Sequence, residues 1–139
     1  MKISGRSRDI IVKEIEFVVE RMGEVESAQE KIYYFSGIHS MFQRLINIEY
    51  DSDLLYAFVI LKETYTAISS RINAIEKAGD HLVPLTEFHF LMLSELAVGL
   101  AKQIADKKSI ASTLKKFVIL AYSTTGNGYY LMQKGVLKI

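Results

Sequence analysis

The stretch LVPLTEFHFLMLSELAVGLAKQI, residues 82–104, decides the fold class. Drawn as an α-helix, it is apolar around well over half of its circumference. Its narrow polar strip consists of Glu87, Ser94, Glu95 and Lys102. A helix of this kind is typical of the centre of a helical domain. Three ionisable residues, Glu87, His89 and Glu95, would be costly in hydrocarbon, so we predict a buried core helix and no membrane association.

Helical spacing of apolar residues continues outward from this stretch in both directions. We predict helices over residues 7–23, 24–48, 54–78 and 84–106, followed by a fifth helix that begins at Ser109. Ser7 supplies an N-terminal cap for the first helix and Gly23 a stop. Because the connections are only a few residues long, neighbouring helices should be antiparallel. The sequence therefore predicts an all-α fold, an antiparallel four- to five-helix bundle.

The C-terminal part leaves two alternatives open. The short apolar run 117–122 fits either a helix or a strand, and 129–134 fits a short helix or the second half of a hairpin. Residues 123–128 have the composition of a loop. The apolar tail 136–139 should dock on the core. We therefore expect a short C-terminal extension, either a short helix or a hairpin, with 123–139 forming a loop and a docked tail.

Composition indicates one domain and is consistent with a reducing compartment. The 139 residues suit a single domain spanning 1–139, with a flexible N-terminal arm over residues 1–6. The chain has no cysteine, which excludes disulfides and thiolate chemistry. The first six residues lack the apolar run of a signal peptide. We expect a cytoplasmic protein.

Several polar residues fall within or beside the predicted apolar faces of their helices. They are His39, Gln43, Thr64, His89 and Glu95. One interpretation is that His39 and His89 are neutral core histidines bonded to a carbonyl or hydroxyl. The other is that they meet in the core and bind a metal or perform acid–base chemistry. No Glu-x-x-His pattern supports a di-metal centre, so both are weak metal candidates and we predict no cofactor.

A second set of candidates concerns phosphate. The loop hydroxyls and glycines, with lysines nearby, resemble in composition a backbone that cradles phosphate. The candidate ligand-binding residues are Arg71, Lys115, Lys116, Ser123, Thr124, Thr125, Gly126, Asn127 and Gly128. The alternatives are a plain turn, and an Arg71 that pairs with Glu95 or lays its stem on the core. Neither glycine-rich nucleotide motif is present.

No complete catalytic motif occurs, and no helix has a dense basic face, so we expect no nucleic-acid partner. Apolar residues nevertheless exceed what one stripe per helix needs. The surplus consists of Ile10, Phe17, Met41, Ile48, Leu55, Val59, Leu91, Val98 and Ile119. We therefore expect a non-enzymatic helical-bundle interaction module that forms a homo-oligomer, with a protein partner as a further possibility. The alternatives are a bundle that binds a nucleotide or phosphorylated small molecule, as a transferase or binding protein, and metal binding through core histidines.

Overall fold

A computed structural model describes residues 1–78 and 83–139 of the chain, and their side chains outside residues 75–86. Six α-helices make up these ranges, and no strand occurs within them. They are α1 (Gly5–Glu24), α2 (Ala28–Ile48), α3 (Ser52–Ala78), α4 (Val83–Ala105), α5 (Ala111–Tyr122) and α6 (Gly126–Gln133). The all-α prediction is confirmed. Of the two alternatives left open at the C-terminus, the structure has the helical one. Residues 117–122 lie in α5 and most of 129–134 lies in α6.

The helices surround one core in the order α1, α2, α3, α5, α4. Ser7, near the start of α1, bonds to Glu49 beyond the end of α2, so these two helices are antiparallel. Arg8 donates to the carbonyl of Ile104 at the end of α4, which makes α1 and α4 antiparallel as well. α5 packs against both α3 and α4 and separates them along much of their length.

Aromatic packing joins α5 to the far side of the bundle. Phe35 of α2 and Phe117 of α5 are both fully buried, and their ring centroids lie 6.3 Å apart. Burial of a phenylalanine side chain contributes about 1.5–3 kcal/mol. This contact makes α5 part of the core and explains why the bundle has five main helices.

Four predicted helix starts were displaced by two residues or more, and that of α3 lies at Ser52 instead of residue 54. Ser4, rather than Ser7, caps α1 by accepting from the Ser7 amide, and the Ser7 hydroxyl donates to Glu49 instead. α2 begins at Ala28, not at residue 24, because Ser27 accepts from the Glu30 amide in a serine–glutamate cap. α5 begins at Ala111, and no side chain caps it; Ser109 only accepts from the Ala111 amide at 3.3 Å.

Both ends of the chain contact the bundle. Residues 1–6, expected as a flexible arm, are in part helical and in part held against the α2–α3 turn. The backbone amides of Lys2 and Ser4 donate to Asp51 and Glu49 at 2.9 and 2.6 Å. At the other end, Ile139 packs against the core while Val136 remains exposed.

Across the described ranges, none of the helices has both the length and the hydropathy that crossing a bilayer requires.

Candidate functional site

His39 lies in an aromatic niche between α2 and α3. Its ring centroid is 5.2 Å from that of Tyr65 and 6.5 Å from that of Phe58. Both ring nitrogens are shielded from solvent and have no hydrogen-bond partner among the described residues. Burial, together with the positive charge of Lys62, lowers the pKa of His39. The residue is therefore a neutral imidazole with two unused polar atoms, and the carbonyl or hydroxyl partner expected for a core histidine is absent from its described surroundings.

His89 is buried and has a different environment. Its Nε2 lies 2.8 Å from the Ser123 hydroxyl, which donates to the Leu120 carbonyl at 2.5 Å. Because the serine proton goes to Leu120, we assign Nε2–H as the donor to Ser123. This chain fastens the end of α5 to α4. It matches the interpretation of His89 as a core histidine bonded to a hydroxyl.

The two histidines contact different helices and do not share a site. The ring contacts of His39 are with α3, whereas His89 bonds to the end of α5. Among the described residues, no group of three or more histidine, aspartate or glutamate side chains is placed to hold a metal ion.

The other polar core candidates divide into buried and exposed residues. Thr64 is fully buried and donates to the Ile60 carbonyl at 2.7 Å. Gln43 and Glu95 are exposed on the outside of their helices. Arg71 is half-buried, and its shielded Nε has no partner in the described part of the chain. The Arg71–Glu95 ion pair considered above does not form between these described side chains.

The loop predicted at 123–128 is a tight corner between α5 and α6. The hydroxyls of Ser123, Thr124 and Thr125 each donate to the carbonyl three residues earlier, at 2.5, 2.7 and 2.8 Å. Thr125 also caps α6 by accepting from the Gly128 amide at 2.9 Å. Gly128 is pressed so closely against the Tyr122 carbonyl that a Cβ would lie 2.2 Å from its oxygen. The hydroxyl protons of this corner are therefore used in hydrogen bonds to the backbone of α5.

Arg71 lies at the height of this corner. Thr64 Oγ1 approaches the Phe117 carbonyl at 3.4 Å, which puts these two residues level on α3 and α5. α3 runs antiparallel to α2, and α5 runs antiparallel to α4. Because α2 and α4 are both antiparallel to α1, α3 and α5 are parallel to each other. Arg71 is seven residues beyond Thr64, a rise of about 10.5 Å, and Ser123 is six residues beyond Phe117, a rise of about 9 Å. Lys115 and Lys116 are exposed on α5, below the corner.

The outer side of α4 combines apolar and charged residues in a regular order. Leu91 and Val98 are 57% and 49% exposed, and their seven-residue separation puts them on the same side of the helix. Glu87 precedes Leu91 by four residues, and Lys102 follows Val98 by four; both are exposed on this side. We call these four residues the α4 outer strip. The sequence predicts Glu87 and Lys102 in a polar strip and the two apolar residues among a surplus, and it offers no reason to group the four.

The remaining surplus apolar residues are not equally available. Ile10, Phe17, Ile48 and Val59 are exposed, as a contact surface would require. Leu55 and Ile119 are half-buried. Met41 is only 2% exposed, so its assignment to the surface was wrong; it packs in the core beside Phe42.

Together these features define a helical-bundle protein with an amphipathic outer strip and with a histidine, in an aromatic niche, that has no hydrogen-bond partner among the described residues. Comparison with models of protein families, with characterised proteins and with solved structures finds no match to this chain.

Proposed function

We propose that this protein is a self-associating interaction module, and that its homodimer forms by antiparallel pairing of two α4 outer strips. The observation that carries the proposal is the order acid, apolar, apolar, base along Glu87, Leu91, Val98 and Lys102, all of them exposed. Exposed apolar pairs bordered by charge are typical of interaction surfaces.

The spacing of the strip is self-complementary. A two-fold axis passing between Ser94 and Glu95 sets Leu91 against Val98 of the second copy, and Val98 against Leu91. The same axis sets Glu87 against Lys102 of the second copy. One operation therefore pairs apolar with apolar and acid with base, as an isologous interface requires.

The α1 helix offers a comparison within the same molecule. Ile10 and Phe17 are also exposed and seven residues apart. Pairing two copies of α1 about the midpoint of these residues would set Arg6 against Arg21, which places like charges opposite each other. At the ends of the contact, therefore, α4 sets opposite charges against each other whereas α1 sets like charges. Beside the α4 axis the exposed Glu95 approaches its own copy, and this repulsion weakens the pairing.

The energetics indicate a weak, reversible dimer. The strip covers sixteen residues, Glu87 to Lys102, a length of about 24 Å. One helical contact of this length lies near the low end of interface sizes, where transient complexes are found. Exposed ion pairs contribute only about 0–1 kcal/mol each, so the apolar pairs supply the attraction and the charges fix the register.

Sedimentation velocity over a concentration series tests the proposal. The wild type should form dimers as its concentration rises. Glu87→Lys and Lys102→Glu should each weaken the dimer, because each sets like charges opposite each other. The double variant E87K/K102E should restore it, since exchanging the two charges recreates both pairs.

Two variants provide matched controls. Glu16→Lys on α1 and Lys115→Glu on α5 make the same charge changes at exposed positions outside the strip and should leave dimerisation unchanged. Circular dichroism establishes that each variant is folded. A wild type that stays monomeric throughout the series, or a double variant no better than its single parents, would overturn the proposal.

A further inference from the structure

A cavity lies at the end of the bundle where α1 begins and α4 ends. Its volume is about 260 Å³, and its polar lining comes from Arg8, Asp53, Lys107, Lys108 and Ser109. We propose that this cavity binds a small anion of the phosphate class, either inorganic phosphate or a small phosphate ester. The site is separate from the α4 outer strip and from the 123–128 corner.

The charges of the lining favour an anion. Among the described residues that line the cavity, Asp53 is the one acidic residue, and it is ion-paired at 2.9 Å with the amino group of Met1. Arg8, Lys107 and Lys108 make no ion pair with any described carboxylate. Three cationic residues therefore line one small volume together with one acidic residue, whose charge is already partnered. A local excess of positive charge attracts an anion.

Arg8 is already positioned to receive a ligand. One of its terminal nitrogens, Nη1, donates to the Ile104 carbonyl at 2.6 Å, and this bond fixes the half-buried guanidinium at the cavity wall. Within the described ranges no other hydrogen bond uses its remaining N–H groups. A guanidinium held by one edge offers its other donors to a planar or tetrahedral oxyanion.

Lys107 occupies a backbone position that disfavours it. Its φ is 56°, in the left-handed region where glycine is preferred. The amides of Lys107 and Lys108 donate to Ile104 and Gln103 at 3.2 and 2.8 Å, the Schellman pattern that ends α4. A lysine at this position carries a conformational cost, and the residue is one of those that line the cavity. A lysine provides a positive charge that can bind an anionic ligand, and a glycine at this position could not.

The volume limits the ligand. Sites for drug-sized ligands occupy about 300–1,000 Å³, so this cavity suits a smaller molecule. A phosphate ion or a short phosphate ester fits this limit, and a dinucleotide does not. The ligand class overlaps with that expected for the 123–128 loop, but the cavity residues differ entirely from that set.

Lys107→Gly gives the sharpest test, because it should move stability and binding in opposite directions. Removing the side chain relieves the left-handed strain, so the melting temperature without phosphate should rise. The same change removes one cation, so the affinity for inorganic phosphate should fall by about tenfold. A variant that merely damaged the fold would lower both quantities.

Isothermal titration with inorganic phosphate, at constant ionic strength, measures the affinity; glycerol phosphate in a second titration distinguishes the free ion from an ester. Arg8→Gln should weaken binding as Lys107→Gly does, whereas Lys62→Gln, an equal loss of charge at an exposed position of α3, should not. The absence of binding by the wild type, or equal weakening by Lys62→Gln, would overturn the proposal. Neither outcome bears on the dimer, which is measured through Glu87 and Lys102.

Discussion

The ring of His39 lies 5.2 Å from the ring of Tyr65, centroid to centroid, and the imidazole makes no hydrogen bond to any described residue. Two neighbouring helices thus enclose a polar ring with aromatic surface instead of hydrogen-bonding groups. Unsatisfied buried polar atoms oppose folding, and they also resist protonation. The stability of this bundle is therefore coupled to pH at one identifiable residue.

The first prediction concerns acid. The folded state holds the pKa of His39 below its ordinary value of 6.5. As the pH falls below about 6.5, the unfolded chain takes up a proton at this residue before the folded chain does, so the free energy of unfolding decreases. His39→Phe should flatten this dependence and raise stability at neutral pH by about 1 kcal/mol, because it removes the unpaired nitrogens. Urea unfolding at a series of pH values measures both effects.

A companion variant separates the two causes of that shift. Lys62→Gln removes the nearby positive charge but leaves His39 buried, so the pKa of His39 should rise part of the way to 6.5. Titration of the imidazole by NMR measures the change. A His39 that titrates at or above 6.5 in the wild type would show that the niche is open to water.

The second prediction concerns the α5–α6 corner. Gly128→Ala should lower the free energy of unfolding by about 1–3 kcal/mol, because the new Cβ would overlap the Tyr122 carbonyl oxygen and force the corner apart. Gly126→Ala is the matched control. Nothing lies within 4 Å of the Cβ it would add, so stability should be unchanged or should rise by up to about 1 kcal/mol. Denaturant unfolding of both variants makes the comparison, and equal effects would contradict the packing described for Gly128.

The third prediction concerns the start of α2. Ser27→Ala removes the hydroxyl that accepts from the Glu30 amide and should cost about 0.5–2 kcal/mol. Ser70→Ala, at an exposed position within α3, should be neutral or slightly stabilising, because alanine has the higher helix propensity. Thermal unfolding measures both. If α2 instead began at residue 24, as the sequence pattern had predicted, Ser27 would lie inside the helix and the two variants would behave alike.

The apolar periodicity of the chain was sufficient to predict the helices and most of the core. Ile11, Phe35 and Leu61 occupy the interior positions their spacing indicates. Helix starts were less predictable, because several serines near each boundary can act as caps. Ser4 and Ser7 compete at α1, and Glu49, distant in sequence, bonds to both hydroxyls.

The polar candidates show where periodicity stops being informative. Helix phase correctly set His39 and His89 towards the interior, since each faces a neighbouring helix. It carried no information about their partners. An imidazole on an apolar face can meet a hydroxyl, as His89 meets Ser123, or only aromatic rings, as His39 does. The difference depends on which residue of another helix stands opposite.

The order of residues along the chain determined, by itself, that this protein is a bundle of helices, because the free energy of burying apolar side chains follows local periodicity. Which groups meet across helices was decided only by the tertiary structure. The cavity beside Arg8 and Lys107 joins residues about a hundred positions apart in the chain, a separation that local spacing does not encode. The physical reason is that hydrophobic burial is non-directional and fixes which faces point inward, whereas polar contacts and cavities depend on the register between helices.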